Sequence, residues 1–306
     1  MTGNSSLLVI LGATGSGKSA LAIALARKCH AEILSIDSMQ VYQGMDIGTA
    51  KPSLAERYEI PHHLLDWVRP DEVFSVARFV ALADEEISHA KSRGVPLIAT
   101  GGTPLYYKAL FEGLFEGPAS DESMRDELRE LDGPELHAQL AAVDPAAAER
   151  IHVADQRRLI RAIEVHRLTG QPISALQKQW ASGHPPRHEA TWIGLQWDRE
   201  ALNRRINARV KDMMEAGWLE EVRSLLHDYP SLSKTAAEAT GYKELIDHLL
   251  GRVSLDDAVE QIKIATRQLA RRQMKWFKRF GQVHWLAGNA ALEDNVNAVL
   301  SRWRSL

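Results

Sequence analysis

The run GATGSGKS at positions 12–19 constrains this chain more than any other feature, because it matches the phosphate-binding pattern G-x-x-x-x-G-K-[ST] in full. It lies between the apolar run 7–11 and the segment 19–27, which has helical spacing. A strand, a glycine-rich turn and a helix form the context that the pattern requires. Backbone N–H groups of such a turn cradle phosphate oxygens. We therefore predict a P-loop, and a turn that binds nothing is the disfavoured alternative.

The predicted loop also supplies a charge and an oxygen ligand. Lys18 places a positive charge beside the phosphate, and the Ser19 hydroxyl can ligate Mg²⁺, which prefers hard oxygen ligands. The residues predicted to bind a pyrophosphate or a nucleotide such as ATP are Gly12, Ala13, Thr14, Gly15, Ser16, Gly17, Lys18 and Ser19. The pattern indicates phosphate and does not identify the reaction.

Strand-like and helix-like segments alternate around this loop. Further apolar runs of strand length occur at 31–36, 95–100, 191–195 and 283–286. Helical patterns cover 19–27, 79–93, 121–131, 133–142, 145–151, 155–168, 199–216, 218–226, 236–250 and 254–280. We predict an α/β fold whose core is a P-loop NTPase-like parallel sheet with helices on both faces. An all-helical domain at 118–190 interrupts this core, which comprises 1–117 and 191–306.

The composition is that of an ordinary globular protein, with 45% hydrophobic and 25% charged residues. No run approaches the ~20 apolar residues that span a bilayer, and the short polar N-terminus does not resemble a signal peptide. Cys29 is the only cysteine among 306 residues, which excludes an internal disulfide and a cysteine-based zinc site. We expect a cytoplasmic monomer with no membrane contact.

Asp37 follows the second predicted strand and is the nearest acid to the loop. In a doubly wound sheet the carboxyl ends of the strands line the ligand crevice, so Asp37 and the turn 101–103 are expected to face the loop. The alternative is that Asp37 only caps a helix. The pair His62 and His63 points to opposite faces of a strand, which favours packing or hydrogen bonding over a metal site.

Several longer motifs are more specific than the P-loop. They are DSMQVYQGMDIGTAKP at 37–52, IPHHLLD at 60–66, FSVA at 74–77, GGTPLY at 101–106, DP at 144–145, RLIRA at 158–162, GYKE at 241–244 and TRQLARRQ at 266–273. In this order the chain closely resembles the tRNA dimethylallyltransferases, also called tRNA isopentenyltransferases. Two departures are Arg157, where the family commonly has Gln, and Ser19, where it often has Thr.

This resemblance implies transfer of a dimethylallyl group from dimethylallyl pyrophosphate to N6 of the adenosine at tRNA position 37, with release of pyrophosphate. It implies that the P-loop holds pyrophosphate with Mg²⁺, that Asp37 is the general base, and that Thr103 touches the substrate. Arg209 would reach the pyrophosphate, or else lie on a solvated helix face. The residues implied to contact the tRNA anticodon stem-loop are Asp37, Ser38, Met39, Gln40, Thr103, Arg125, Arg157, Arg158, Arg161, Gly241, Tyr242, Lys243, Lys263, Arg267, Arg271 and Arg272.

The last long helical segment carries a basic pattern. From 261 to 292 there is no acidic residue, and basic residues recur every four positions: Lys263, Arg267, Arg271, Lys275 and Arg279. We predict one basic stripe opposite a buried side that is formed by Ile262, Leu269, Trp276 and Phe280. Contact with RNA phosphates is favoured over a merely solvated face, since interspersed acids are lacking.

Two other functions stay open at this point. A P-loop small-molecule kinase would bind ATP and would have no use for the basic helix. A non-enzymatic RNA-binding module would tolerate loss of Asp37. Heat protection by ATP or by dimethylallyl pyrophosphate distinguishes the kinase from the transferase.

Overall fold

The computed structural model describes residues 6–114, 117–177 and 185–304. These residues form two compact units. The first, here called the sheet unit, comprises Met1–Leu110 and His188–Leu306. The second, the helical unit, comprises Phe111–Arg187.

The core of the sheet unit is a six-stranded sheet in which every pair of neighbours is parallel. Its strands are β1 Leu7–Gly12, β2 Glu32–Ser35, β3 His62–His63, β4 Leu97–Thr100, β5 Thr191–Gln196 and β6 His284–Ala287. Their spatial order is β3-β2-β4-β1-β5-β6. The predicted parallel sheet is confirmed, and the histidine pair that was interpreted as lying in a strand forms the two-residue strand β3.

The helices follow in chain order. Those that begin before the helical unit are α1 Lys18–Cys29, α2 Leu54–Glu59, α3 Val76–Arg93 and α4 Pro104–Glu112. Those that begin within it are α5 Glu122–Arg129, α6 Gly133–Val143, α7 Pro145–Arg150, α8 Gln156–Thr169 and α9 Ile173–Leu176. The sheet unit then resumes with α10 Arg199–Glu215, α11 Trp218–Asp228, α12 Lys234–Ala237, α13 Tyr242–Leu249, α14 Leu255–Phe277 and α15 Leu292–Arg304. None of the described helices combines the length and the apolar character that crossing a bilayer needs.

Both faces of the sheet are covered, which explains why its strands read as continuous apolar runs. On one face, Leu8 and Ile10 of β1 pack in a cluster with residues of α1 and α15, among them Val296 and Trp303. On the other face, the Tyr107 ring of α4 meets the Phe277 ring of α14 edge-on, with centroids 5.7 Å apart. The central strand β1 is therefore buried along its whole length and holds the loop that follows it in a fixed place.

One predicted helix is two. The pattern at 236–250 predicted a single helix, but the structure has α12 and α13 separated by a turn at 238–241. Gly241 takes a left-handed φ of 93°, and a Cβ built there would lie 2.0 Å from the Trp218 ring. The close approach of this indole requires glycine, and the turn interrupts the helix there.

The helical unit has a core of its own around Leu128, Leu136, Leu140 and Leu159. The helices α5 to α8 begin at aspartate caps: Asp121, Asp132, Asp144 and Asp155 each accept a backbone N–H of the first turn. The helices predicted at 121–131, 133–142, 145–151 and 155–168 are confirmed to within about two residues.

The long helix α14 differs from its prediction in how its faces lie. Its buried side is formed by Ala258, Ile262, Ala270, Gln273 and Phe277, whereas Leu269 and Trp276 are only partly buried. Residues four apart advance by 40° more than one turn, so the predicted straight basic stripe winds around the helix.

The first two basic residues of that pattern are bound within the fold. Lys263 pairs with Glu260 at 2.6 Å, so an acid does accompany the basic residues. Arg267 donates to Oδ1 of Asn207 at 2.6 Å. Arg271 and Lys275, further along, are exposed. The prediction of one uniform stripe was therefore wrong, and the exposed part of the pattern begins at Arg271.

Candidate active site at the carboxyl ends of β1, β2 and β4

Three chain segments that leave neighbouring strands meet at one edge of the sheet. Ile10 of β1 and Ser35 of β2 both pair with Thr100 of β4, so β2 and β4 end level with Ile10 and β1 continues two residues further to Gly12. The P-loop follows β1, Asp37 follows β2, and the turn 101–103 follows β4. The structure thus brings together the phosphate loop and the acid that the sequence placed on different strands.

The P-loop has the backbone geometry of an anion cradle. Gly15 and Gly17 take left-handed φ values of 78° and 91°. Gly17 caps α1 without a side-chain hydrogen bond. In the described part of the chain the amides of Gly17, Lys18 and Ser19 donate to no protein acceptor. These amides lie at the N-terminus of α1, where unpaired N–H groups and the helix dipole attract anions.

A cavity of about 380 Å³ opens beside these amides. Lys18 and Ser19 line it from the loop, and Arg205, Arg209 and Asp212 line it from α10. Burial, followed by the nearby Arg209 charge, lowers the pKa of Lys18 from 10.5 to about 8, against an opposing effect of Asp37. Burial also lowers the pKa of Arg209. Two desolvated cations that repel one another form a site that an anion stabilises.

Asp37 is held by its own turn rather than by a helix. Its Oδ1 accepts the N–H of Met39 at 2.9 Å, and the chain that follows is not helical until α2. The interpretation of Asp37 as a helix cap is therefore wrong. Thr103 lies alongside, where its Oγ1 accepts the N–H of Ser38 at 2.9 Å and donates to the Ser38 hydroxyl at 3.1 Å. The ends of β2 and β4 are thereby tied together.

Sequence reasoning missed the side chains that hold the P-loop from outside. Trp197 Nε1 donates to the carbonyl of Ser16 at 2.9 Å, and Arg205 Nε donates to that of Gly15 at 3.0 Å. The Arg205 guanidinium also lies over the Trp197 ring, 4.6 Å from its centroid. From α14, Gln273 accepts the N–H of Thr14 at 2.8 Å. Two sequence signals point to Gln273: it is a polar residue on the apolar face of α14, and it ends the motif at 266–273.

The motif at 37–52 is anchored to the rest of the sheet unit by Glu221. Its carboxylate accepts the N–H groups of Asp46, Ile47 and Gly48 at 2.9, 2.6 and 3.2 Å, and the Tyr242 hydroxyl at 2.6 Å. Tyr242 is 1% exposed. Because it is buried, Tyr242 does not lie where tRNA could contact it as predicted. It supports the segment 37–52 through Glu221 instead.

Lys51 and Gln40 hold the same segment. The Lys51 ammonium, whose side chain is 1% exposed, binds Asp46 at 2.7 Å and Asp66 at 2.5 Å. Gln40 Nε2 donates to the carbonyls of Thr49 and Ala50 at 3.2 and 3.3 Å. The segment is thus a fixed surface beside Asp37 rather than a free loop.

The other residues predicted to contact tRNA lie in two places. In the helical unit, Arg125 and Arg161 bind the fully buried Glu164 at 2.9 and 2.5 Å, while Arg158 pairs with Asp155 at 3.3 Å and Arg157 is exposed. In the sheet unit, Lys243, Arg271 and Arg272 are exposed, whereas Gly241 is packed under Trp218.

Similar proteins share both the sequence and the fold. The family described as IPP transferase matches residues 40–280, and the one described as isopentenyl transferase matches residues 5–69. A tRNA dimethylallyltransferase of Geobacter metallireducens is 46% identical over 299 residues, with 96% of each chain covered. One of Geobacillus kaustophilus is 48% identical over 284 residues, with 90% of this chain and 89% of that protein covered.

The chain belongs to the tRNA dimethylallyltransferase family. Solved structures agree: that of the tRNA delta(2)-isopentenylpyrophosphate transferase from Staphylococcus epidermidis has a TM-score of 0.72 at 36% identity and covers 98% of both chains. That of a eukaryotic dimethylallyltransferase acting on tRNA has a TM-score of 0.82 at 30% identity and covers 97% of this chain and 79% of the other. The predicted family and its P-loop-like fold are confirmed, and the kinase alternative is not favoured.

Proposed function

We propose that this chain transfers a dimethylallyl group from dimethylallyl pyrophosphate to N6 of the adenosine at tRNA position 37, giving N6-(dimethylallyl)adenosine and pyrophosphate. The observation that carries the proposal is that a family member has an anion cradle after β1 and a carboxylate after β2, at the same edge of the sheet on either side of β4. The cradle suits the leaving group and the carboxylate suits the attacking amine.

The donor binds through its diphosphate. Lys18, Arg209 and the free amides of the P-loop surround the cavity beside α1, and these groups bind oxygens without reading a base. As the allylic C–O bond breaks, negative charge grows on the departing pyrophosphate. Fixed positive groups in a desolvated site stabilise that charge more strongly than water does. The position of Arg209 in the lining of this cavity supports a role in binding the diphosphate over the alternative of a solvated helix face.

The residues present fit a magnesium ion bound together with the diphosphate. The Ser19 hydroxyl is exposed beside the cavity and Asp212 lines the same space. Among the described residues no cluster of three or more histidine, cysteine or acidic side chains could hold a metal by itself. Mg²⁺ keeps several waters and takes substrate oxygens, so Ser19 suffices as a protein ligand. When bound, the ion would supply further positive charge for the leaving group.

Asp37 acts on the acceptor side. With Oδ1 fixed by Met39, its other oxygen faces the approach to Gly102 and is the one placed to accept a proton. The adenine N6 forms a bond to the allylic carbon, the C–O bond to pyrophosphate breaks, and the amine proton passes to Asp37. Thr103 and Ser38 keep this carboxylate and the turn 101–103 in register.

The tRNA is held outside this centre. We assign the anticodon stem-loop to the exposed Arg157 and Arg158 of the helical unit and to Arg271 and Arg272 of α14. In this proposal 118–190 grips the stem, while 1–117 and 191–306 carry the chemistry. The target base leaves its stack to reach the strand ends, as in other enzymes that act on base atoms. We expect a monomer that acts in the cytoplasm, where its tRNA substrate is found.

The test is direct. The protein is incubated with unmodified tRNA, dimethylallyl pyrophosphate and Mg²⁺, and the nucleosides are analysed by mass spectrometry. We expect adenosine to gain one C5H8 group. The control replaces dimethylallyl pyrophosphate with ATP, which should leave the tRNA unchanged. Absence of the added mass on any adenosine, with a folded protein, refutes the proposal.

A further inference from the structure

Gln273 links the donor side of the site to the acceptor side. It lies in α14 with only 5% of its surface exposed. Its Oε1 accepts the N–H of Thr14 in the P-loop at 2.8 Å, and its Nε2 donates to the carbonyl of Gly102 at 2.6 Å. One buried carboxamide therefore bridges the loop that follows β1 and the turn that follows β4.

We propose that Gln273 is a positioning residue for prenyl transfer, which fixes the distance between the diphosphate loop and the turn at Gly102. This inference rests on the proposed function. Gln273 binds backbone atoms of the two segments and touches no reacting atom. It acts by keeping the leaving group and the acceptor amine aligned.

The chemistry of the two contacts requires an amide of this length. Thr14 offers an N–H donor and Gly102 a carbonyl acceptor, and a carboxamide can accept from the first and donate to the second within one planar group. A carboxylate in the same place would accept from Thr14 but would set its charge against the Gly102 carbonyl. An apolar side chain would leave two backbone groups without partners, and such burial is costly. An uncharged polar residue amid Ala270 and Phe277 is therefore explained by this bridge.

The bridge adjoins the reacting groups. A Cβ built on Gly102 would lie 2.8 Å from Gln273 Nε2 and 3.2 Å from Asp37 Oδ2, so both side chains lie beside Gly102. Thr103, the next residue, is bonded to Ser38. A shift of Gln273 would thus move Thr14 and Gly102 relative to each other, and with them the two substrates. Misplacement by about 1 Å costs about 100-fold in rate.

The first variant is Gln273→Met, which keeps the length of the side chain and removes both hydrogen bonds. We expect kcat to fall about 100-fold while KM for each substrate changes less than about threefold, since alignment is lost and binding is not. The matched control is Gln261→Met on the exposed surface of the same helix, which should leave kcat unchanged. Circular dichroism and thermal melting establish that each variant is folded.

The second variant, Gln273→Glu, separates positioning from simple packing. The neutral carboxyl has a donor and an acceptor like the amide, whereas the carboxylate lacks the donor. The kcat of this variant relative to the wild-type value should therefore rise as pH falls, while the same ratio for Gln273→Met stays flat. If the Met variant does not fold, this pH profile carries the test alone.

The results that overturn the inference are specific. If the wild-type enzyme is active and Gln273→Met keeps its kcat within about threefold of the wild-type value, instead of the expected fall of about 100-fold, the bridge does not align the substrates. A flat pH ratio for Gln273→Glu shows the same. A wild-type enzyme that adds no C5H8 group contradicts the proposed function instead, and is recognised before any variant is made.

Discussion

Replacement of Lys18 by Met is expected to stabilise the ligand-free protein while it abolishes diphosphate binding. Burial and the Arg209 charge lower the pKa of Lys18 from 10.5 to about 8. Since a shift of one pKa unit corresponds to about 1.4 kcal/mol, the charged ammonium destabilises the free folded state by up to about 3 kcal/mol below pH 8. Met has a similar length and needs no hydration, so Lys18→Met should recover much of this free energy.

The pH dependence of stability follows from the same lowered pKa. Between pH 8 and 10.5 the folded protein has released the Lys18 proton while the unfolded chain still binds it, so unfolding becomes harder as pH rises. The penalty is fully present below pH 8 and fades above it. The stability advantage of Lys18→Met over wild type should therefore be largest at pH 7 and should shrink toward pH 10.

Urea unfolding of both proteins at pH 7 and near pH 10 measures this difference. Lys278→Met, at an exposed position, is the matched control and should change stability by less than about 0.5 kcal/mol. Pyrophosphate should raise the melting temperature of the wild-type protein and not that of Lys18→Met. A Lys18→Met variant that is less stable than wild type at pH 7 would refute the argument, because it would show that the ammonium stabilises the free site.

Three further predictions concern the acceptor, the RNA and an ion pair at the amino end of β2. Asp37→Asn should lower kcat by about 10²–10⁴-fold, because it removes the general base, and should leave the Kd for tRNA nearly unchanged, because it keeps the shape of the side chain. Single-turnover kinetics measure the rate and filter binding measures the Kd. Normal turnover would exclude Asp37 as the general base. The double variant Arg271→Ala, Arg272→Ala should weaken tRNA binding and reduce the slope of the logarithm of the tRNA-binding constant against log salt concentration by about 2. Arg252→Ala, at another exposed position, is the control. An unchanged slope in the double variant would exclude phosphate contacts at Arg271 and Arg272. The buried Glu32 binds Arg93 at 2.7 Å, and this hydrogen bond lowers the pKa of Glu32. The ion pair therefore stabilises the fold above pH 4.5, and this stabilisation is lost as pH falls below that value. Glu32→Gln should make the free energy of urea unfolding less dependent on pH in acid, and an unaltered pH profile would contradict this prediction.

Local features of this chain were predictable, because their physics lies within a short segment. The P-loop, the strand before it and the helix after it are adjacent in sequence. The position of Asp37 beside the loop follows from the rule that parallel strands deliver their carboxyl ends to one edge. The pairing of both Ile10 and Ser35 with Thr100 shows that the three parallel strands deliver their carboxyl ends to the same edge.

The supporting contacts were not predictable, because they join elements that are far apart in the chain. Gln273 meets Thr14 across 259 positions, and Glu221 meets Gly48 across 173. Whether a charge is free depends on such partners as well. Arg125 and Arg161 read as RNA contacts until the buried Glu164 is seen between them, and Lys263 reads as part of a stripe until Glu260 is seen beside it.

The central claim is that a diphosphate lies in the P-loop while Asp37 guides the adenine amine toward the prenyl carbon. The most direct measurement is a crystal structure of the protein with pyrophosphate, Mg²⁺ and an anticodon stem-loop. We predict pyrophosphate oxygens on the amides of Gly17, Lys18 and Ser19, and the N6 amine of the flipped adenosine within hydrogen-bond distance of Asp37. Pyrophosphate in the loop with that amine beyond the reach of Asp37 would contradict the account.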